Sequence, residues 1–149
     1  MKKYEIVNLF NYFSNLKLNK FSKKLRSKLV HNFDLIGDVK NRTDADVNGI
    51  RMKLFSEDIE NIQKLITYRQ EFESASEADK IKINNKIESE CQPALKIELE
   101  FIKQVNDLYN QEIDLKLEKI EKELFVEECV NAGIDITLSE LTVISSIFN

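Results

Sequence analysis

The stretch FSKKLRSKLVHNFDLIGDVKNRTDADVNGIRMKLF, residues 21–55, decides the fold class because its apolar side chains recur at helical spacing. After Ile36 the spacing approaches an alternation of four and three residues, which is typical of a coiled-coil seam. The positions concerned are Phe21, Leu25, Leu29, Phe33, Ile36, Val47, Ile50 and Leu54, with Thr43 in one slot. Residues 59–72 continue the pattern, so a continuous helix over residues 21–73 and a helix broken near Ser56 both fit the sequence.

Helices are also predicted on both sides of this stretch. A short N-terminal helix has one predicted buried face, which consists of Ile6, Leu9, Phe10, Phe13 and Leu16. Residues 74–77 form a turn, and Pro93 is expected in the first turn of a renewed helix in the arm that returns. The chain holds only 3 Gly and 1 Pro, too few for the many turns of a β-sandwich or barrel. We therefore predict a mainly α protein, either a long helical hairpin or a small helical bundle.

A minor two-stranded β element is predicted near the C-terminus. Residues 113–118 and 134–136 alternate apolar and charged side chains at period two, as half-buried strands do. A helix from Lys122 to Val130 separates them, and Gly133 suits the left-handed position after that helix. Thr137 then begins a capping box that starts the last helix. The two strands are expected to pair with each other.

The length of 149 residues fits a single domain. Within it, residues 1–112 hold the N-terminal helix and the helical hairpin, and residues 113–149 form a β-α-β-α subregion. Charge is distributed unevenly along the chain: residues 1–55 carry 12 Lys/Arg against 5 Asp/Glu, and residues 56–149 carry 10 against 21. Such halves can neutralise each other within the fold, the interpretation that we favour, or present opposite charges to different partners.

Catalytic and metal-binding signatures are absent from the sequence. His31 is the only histidine, and Cys91 and Cys129 lack metal-ligand spacing and have acidic neighbours that would raise their pKa. No phosphate-binding Gly-rich loop, GxSxG or HExxH occurs. We predict no catalytic residue, no metal site, no cofactor and no enzymatic activity, and we favour free thiols over a disulfide. A small enzyme whose site assembles only in three dimensions stays open as an alternative.

Two sets of residues are candidates for binding a partner. The basic face lies in an acid-free stretch and would present one helical surface to phosphates or to an acidic protein; it consists of Lys20, Lys23, Lys24 and Lys28. A single arginine and the lack of Tyr or Trp make nucleic acid the less favoured partner. The self-association seam would join copies of the chain into a homo-oligomer; it consists of Ile36, Val47, Ile50 and Leu54.

A cytoplasmic location is expected. No stretch approaches the roughly 20 apolar residues that span a membrane. The opening MKKYEIVNLFNYF is basic and then apolar, but polar residues interrupt it and no small-residue cleavage site follows. We therefore expect neither a membrane segment nor a signal peptide.

Both ends of the chain resemble a family of small bacteriophage- and prophage-encoded helical proteins of unknown function. The matching stretches are IVNLFNYFSNLKLNKFSKKLRSKLVHNFDLI, residues 6–36, and EIDLKLEKIEKELF with GIDITLSELTVISSIF, residues 112–125 and 133–148. The resemblance implies a phage setting in a bacterial host and assigns no residue a role. It favours a non-enzymatic protein that binds a virion component or a host protein. The alternative is an inhibitor of host defence or transcription that uses the basic face.

Overall fold

The computed structural model describes all of residues 1–149 and confirms a mainly helical protein, with 77% of the chain in helices and no β-sheet. The seven α-helices are α1 (Lys3–Ser14), α2 (Lys23–Phe55), α3 (Ile59–Ser74), α4 (Glu77–Glu90), α5 (Gln92–Tyr109), α6 (Lys122–Asn131) and α7 (Leu138–Val143). Two short 3-10 turns, Leu18–Lys20 and Ser145–Ile147, precede α2 and follow α7.

The chain divides into two compact units. The first consists of residues 1–44 together with 108–149, and the second consists of residues 45–107. The first unit therefore contains both the N-terminal helix and the C-terminal subregion. Its bounds differ from the predicted division at residue 112. The assignment of a single domain stays a prediction.

The core of the first unit is formed by side chains from both ends of the chain. Three residues of the predicted face are buried, and the other two, Phe10 and Leu16, are partly buried against the same core. This face packs with the start of α2 and with the segments that follow residue 119. Phe125 lies at the centre, with its ring centroid 6.0 Å from that of Phe21 and 5.6 Å from that of Phe148. The buried residues are Ile6, Leu9, Phe13, Phe21, Leu25, Leu29, Ile36, Ile120, Phe125, Cys129, Ile144, Ile147 and Phe148.

The long helical stretch is broken after Phe55. Residues 56–58 form a turn, and α3 begins at Ile59. The carboxylate of Asp58 accepts a hydrogen bond from the backbone N–H of Asn61 at 3.1 Å, so Asp58 caps the new helix. The break falls where the sequence allowed one.

The second unit contains a helical hairpin, α3 and α4, and most of α5. Ser76 caps α4 by accepting a hydrogen bond from the N–H of Asp79 at 3.3 Å, and Pro93 lies in the first turn of α5 as predicted. A small core consists of Ile62, Leu65, Cys91 and Ala94. Glu90 at the end of α4 binds Lys64 and Tyr68 of α3, and these hydrogen bonds lower the pKa of the Glu90 carboxyl.

The predicted two-stranded β element is wrong. Neither residues 113–118 nor residues 134–136 form a strand, and the two β pairings in the protein are isolated bridges, one between Lys2 and Glu112 and one between Ile120 and Phe148. The sequence alternation corresponds to alternating burial, since the apolar side chains of both segments pack against the helical core. Alternation at period two shows that one side of a segment is buried. An irregular segment that lies across helices is also buried on one side, so it can have the same pattern.

A side chain of α2 holds the segment 113–119 in place. It takes the part that a neighbouring strand would have in a sheet. Asn32 is completely buried. Its Nδ2 donates to the carbonyl oxygen of Glu118 at 3.0 Å, and its Oδ1 accepts from the N–H of Glu118 at 2.8 Å. The side-chain amide thus makes both hydrogen bonds that a paired strand would offer to this peptide.

Replacement of Asn32 by Ala is expected to destabilise the protein by about 2 kcal/mol, because both backbone groups of Glu118 lose their partner beside the core. The free energy of unfolding would be measured by urea titration followed by circular dichroism. Asn41→Ala is the matched control, since Asn41 is exposed on the same helix, and it should change stability by less than about 0.5 kcal/mol. Equal stabilities of the two variants would contradict the assigned role of Asn32.

Candidate functional site: the basic surface at the start of helix α2

The structure divides the predicted basic face into two patches. Lys20 ends the 3-10 turn before α2, whereas Lys23, Lys24 and Lys28 lie in the first two turns of α2 itself. The helix begins at Lys23, so Lys20 is outside the periodicity that would place all four on one face. Lys24 and Lys28, four residues apart, do share a face.

Lys24 and Lys28 border one cavity and Lys20 borders another, whereas Lys23 lines neither of them. A cavity of about 80 Å³, here called the lysine cavity, is lined by Lys24, Leu25, Lys28, Lys119, Ile120, Glu121, Leu124 and Asn149. A wider depression of about 400 Å³ is lined by Asn15, Leu16, Lys17, Lys20, Ala132, Gly133 and Ile134. Gly133 has φ of 68°, the left-handed conformation that ends α6 as predicted.

The free end of α2 is occupied by a carboxylate of the protein itself. Glu128 of α6 accepts hydrogen bonds from the backbone N–H and from the hydroxyl of Ser22, both at 2.6 Å. A carboxylate at this position satisfies a backbone donor and interacts favourably with the helix dipole. An external anion would therefore be bound by the lysines rather than by the start of the helix.

The lysines of the basic face form no ion pair. The ion pairs nearest to them in sequence are His31 with Glu118, at 3.9 Å, and Lys40 with Asp44. No carboxylate lies within 4.0 Å of the ammonium groups of Lys20, Lys23, Lys24 and Lys28. Compensation of the two charged halves within the fold stays a prediction, and at this surface it does not take the form of close ion pairs.

Two lysines of the lysine cavity are held in place by backbone carbonyls. Nζ of Lys28 donates to the carbonyl oxygen of Lys119 at 2.6 Å, and Nζ of Lys119 donates to the carbonyl oxygen of Ser146 at 2.7 Å. An ammonium group has three donors, so each retains two for a ligand. Sequence reasoning missed Lys119 because it is 91 residues from Lys28, and no local pattern links the two.

The residues of the predicted self-association seam are placed in both units. Ile36 is fully buried in the core of the first unit, and Leu54 is 5% exposed in the second. Only Val47 and Ile50 are partly exposed. Association of two copies stays a prediction, and of the four seam residues only Val47 and Ile50 present surface to a second copy.

His31 and the two cysteines lie in different surroundings. His31 is exposed beside Glu118, and both cysteines are buried free thiols. Burial, with a smaller contribution from Glu128, raises the pKa of Cys129 to about 11, and burial also raises the pKa of Cys91. No three His, Cys, Asp or Glu side chains are grouped as they would need to be to hold a metal ion.

Both thiols are expected to react far more slowly with iodoacetamide in the folded protein than in urea. At pH 8 a thiol of pKa about 11 is thiolate in roughly one molecule in a thousand, against about a quarter for an ordinary cysteine. Rates would be measured by mass spectrometry between pH 7 and 9, with Cys91→Ala and Cys129→Ala separating the two sites. A native rate within about tenfold of the denatured rate would contradict the burial.

No protein-family model, curated protein or solved structure matches the chain. The resemblance to phage-encoded proteins stays a prediction. None of the helices combines the length and the apolar character that crossing a membrane requires. A function for this protein has to be inferred from its own residues.

Proposed function

We propose that the protein is a non-enzymatic interaction protein that binds an acidic surface of another protein through its basic face. The observation that carries this proposal is the lack of any carboxylate within 4.0 Å of the four lysines, in a chain whose formal net charge is −4. A protein with an excess of acids whose densest group of cations makes no ion pair has a surface suited to an anionic partner.

An acidic protein fits this surface better than a nucleic acid does. Single-stranded nucleic acids are bound by exposed aromatic rings on which bases stack, and bases of duplex DNA are read by side chains with paired donors and acceptors as well as by lysine. Phe21, the aromatic residue within the basic stretch, is only 3% exposed and packs on Phe125. The guanidinium of Arg26 donates to the carbonyl oxygen of Phe21 at 3.0 Å. The exposed groups are therefore ammonium groups without a stacking platform.

The strength expected of such an interaction is modest. An exposed ion pair contributes roughly 0.2–1 kcal/mol, so four pairs supply about 1–4 kcal/mol of binding free energy. Complementary charge acts mainly on the association rate and on the choice of partner, and it is screened by salt. Affinity that falls with ionic strength is thus the signature of this mode of binding.

The setting that we propose is the cytoplasm of a bacterial host, as the resemblance to phage-encoded proteins suggests. The partner would then be a virion component or a host protein. An inhibitor of host defence or transcription would use the same face, and a homo-oligomer would present several copies of it. A partner that offers several acidic side chains at once would compensate for the weakness of each single contact.

Reversal of Lys20, Lys23 and Lys24 to Glu is expected to abolish partner capture at about 100 mM salt. These side chains are exposed, and acidic residues in the first turn of a helix suit its dipole. Because Glu128 already lies at this end of α2, circular dichroism would verify that the variant folds. The matched control reverses Lys53, Lys96 and Lys103, which are also exposed and helical. Immobilised wild type and both variants would be exposed to host lysate, and retained proteins would be compared by quantitative mass spectrometry.

The expected result is a specific set of proteins that wild type and the control retain, that the basic-face variant loses and that salt releases. Equal retention by all three proteins would overturn the proposal.

The enzyme alternative has a separate test, since Ala replacements of His31, Cys91 and Cys129 that leave phage fitness unchanged would count against it.

A further inference from the structure

The lysine cavity combines an apolar floor with a cationic rim. Leu25 and Ile120 are each 2% exposed and form the floor, and Leu124 is partly exposed at its edge. The cationic rim consists of Lys24, Lys28 and Lys119, and Glu121 is the one acidic side chain that lines the cavity. Of the charged side chains that line the cavity, three are cations and one is an anion; Asn149, the last residue of the sequence, also lines it. Such a combination suits a ligand that carries a negative group next to an apolar one.

Two of the three lysines of the rim are restricted by hydrogen bonds in the absence of a ligand. The hydrogen bonds of Lys28 to the Lys119 carbonyl and of Lys119 to the Ser146 carbonyl restrict both side chains. Restraint before binding reduces the entropy that binding would otherwise lose. Lys24, by contrast, is exposed and has no hydrogen-bond partner through its ammonium group, so it can close over a ligand.

The lysine cavity has room for a small anionic group. Its volume of about 80 Å³ exceeds what one water molecule needs. A carboxylate or a phosphate group fits that space, and the surrounding surface has to accept whatever carries it.

We propose that the lysine cavity binds the carboxylate of an Asp or Glu side chain from a partner protein, with a neighbouring apolar side chain of that partner on Leu124. The proposal rests on the proposed function and deepens it, because it assigns one anchor point within a broader electrostatic surface. The carboxylate displaces water from Lys28 and Lys119, and Lys24 covers it from the solvent side. Charged hydrogen bonds of this kind are stronger than neutral ones.

The test uses the full-length protein with methyl-labelled Ile and Leu, so that Leu25, Ile120 and Leu124 report on the cavity by NMR. The probe is the capped peptide Ala-Leu-Glu-Leu-Ala, and its Gln analogue lacks only the charge. Saturable shifts at the Ile120 and Leu124 methyl groups are expected with the Glu peptide at millimolar concentration. The Gln peptide should produce shifts at least about fivefold weaker. Inorganic phosphate and a thymidine oligonucleotide, titrated in parallel, distinguish the other sources of an anion.

The variants Lys24→Gln and Lys103→Gln form a matched pair, because both positions are exposed and neither ammonium makes a hydrogen bond that the fold needs. Lys24→Gln should weaken binding of the Glu peptide about three- to tenfold, and Lys103→Gln should leave it unchanged. Equal shifts from the Glu and Gln peptides, no shift at about 5 mM peptide, or tighter binding of phosphate or oligonucleotide than of peptide would each overturn the proposal. Partner capture that depends on Lys20 and Lys23 but not on Lys24 would overturn this site and leave the proposed function standing.

Discussion

Both backbone groups of Glu118 are bound by the side-chain amide of Asn32, and the arrangement of the first unit depends on that pairing. The pairing lays the segment before α6 along α2. The next residue, Lys119, is then beside Lys28, whose ammonium group binds the Lys119 carbonyl. Ile120 follows, buried, with its N–H bound to the carbonyl of Ile147 at 2.9 Å. Three consecutive residues are thus fixed in turn by the helix and by the C-terminal segment.

The lysine cavity is a consequence of this arrangement. Lys28 and Asn32 are four residues apart, so one face of α2 provides both the structural clamp and part of the cationic rim. A buried amide costs free energy unless its donor and acceptor are both satisfied, and here each has a backbone partner. Asn32 and Lys28 thus bind consecutive residues, Glu118 and Lys119, and Lys28 and Lys119 both line the cavity.

Features that depend on neighbours in sequence could be predicted, whereas features that join distant segments could not. The buried face of α1, the capping box at Thr137 and the left-handed Gly133 each depend on a few adjacent residues, and the structure confirms them. The Asn32–Glu118 pairing spans 86 residues. No sequence pattern around Asn32 indicates that it binds a distant peptide group. Without knowledge of that pairing, the alternation over residues 113–118 predicts a strand.

The same limit explains the outcome for the two candidate surfaces. An apolar repeat along α2 shows that a side of the helix is covered, but the covering residues can come from the same chain or from a second copy. The structure covers Ile36 and Leu54 with the chain's own side chains and leaves part of Val47 and Ile50 exposed. The basic face could be predicted from the sequence, because the cluster of lysines and the absence of acidic residues among them are both local features.

The lysines of the basic face make no ion pair, and apart from the hydrogen bond of Lys28 to the Lys119 carbonyl they contribute little to folding. Like charges on adjacent turns of a helix destabilise it by a few tenths of a kcal/mol for each close pair. Glu128 binds Ser22 at the start of α2 and makes no ion pair with Lys23 or Lys24. The proximity of Lys24 and Lys28 on one face is thus a small cost to stability, and an acidic partner is the kind of ligand that would offset it.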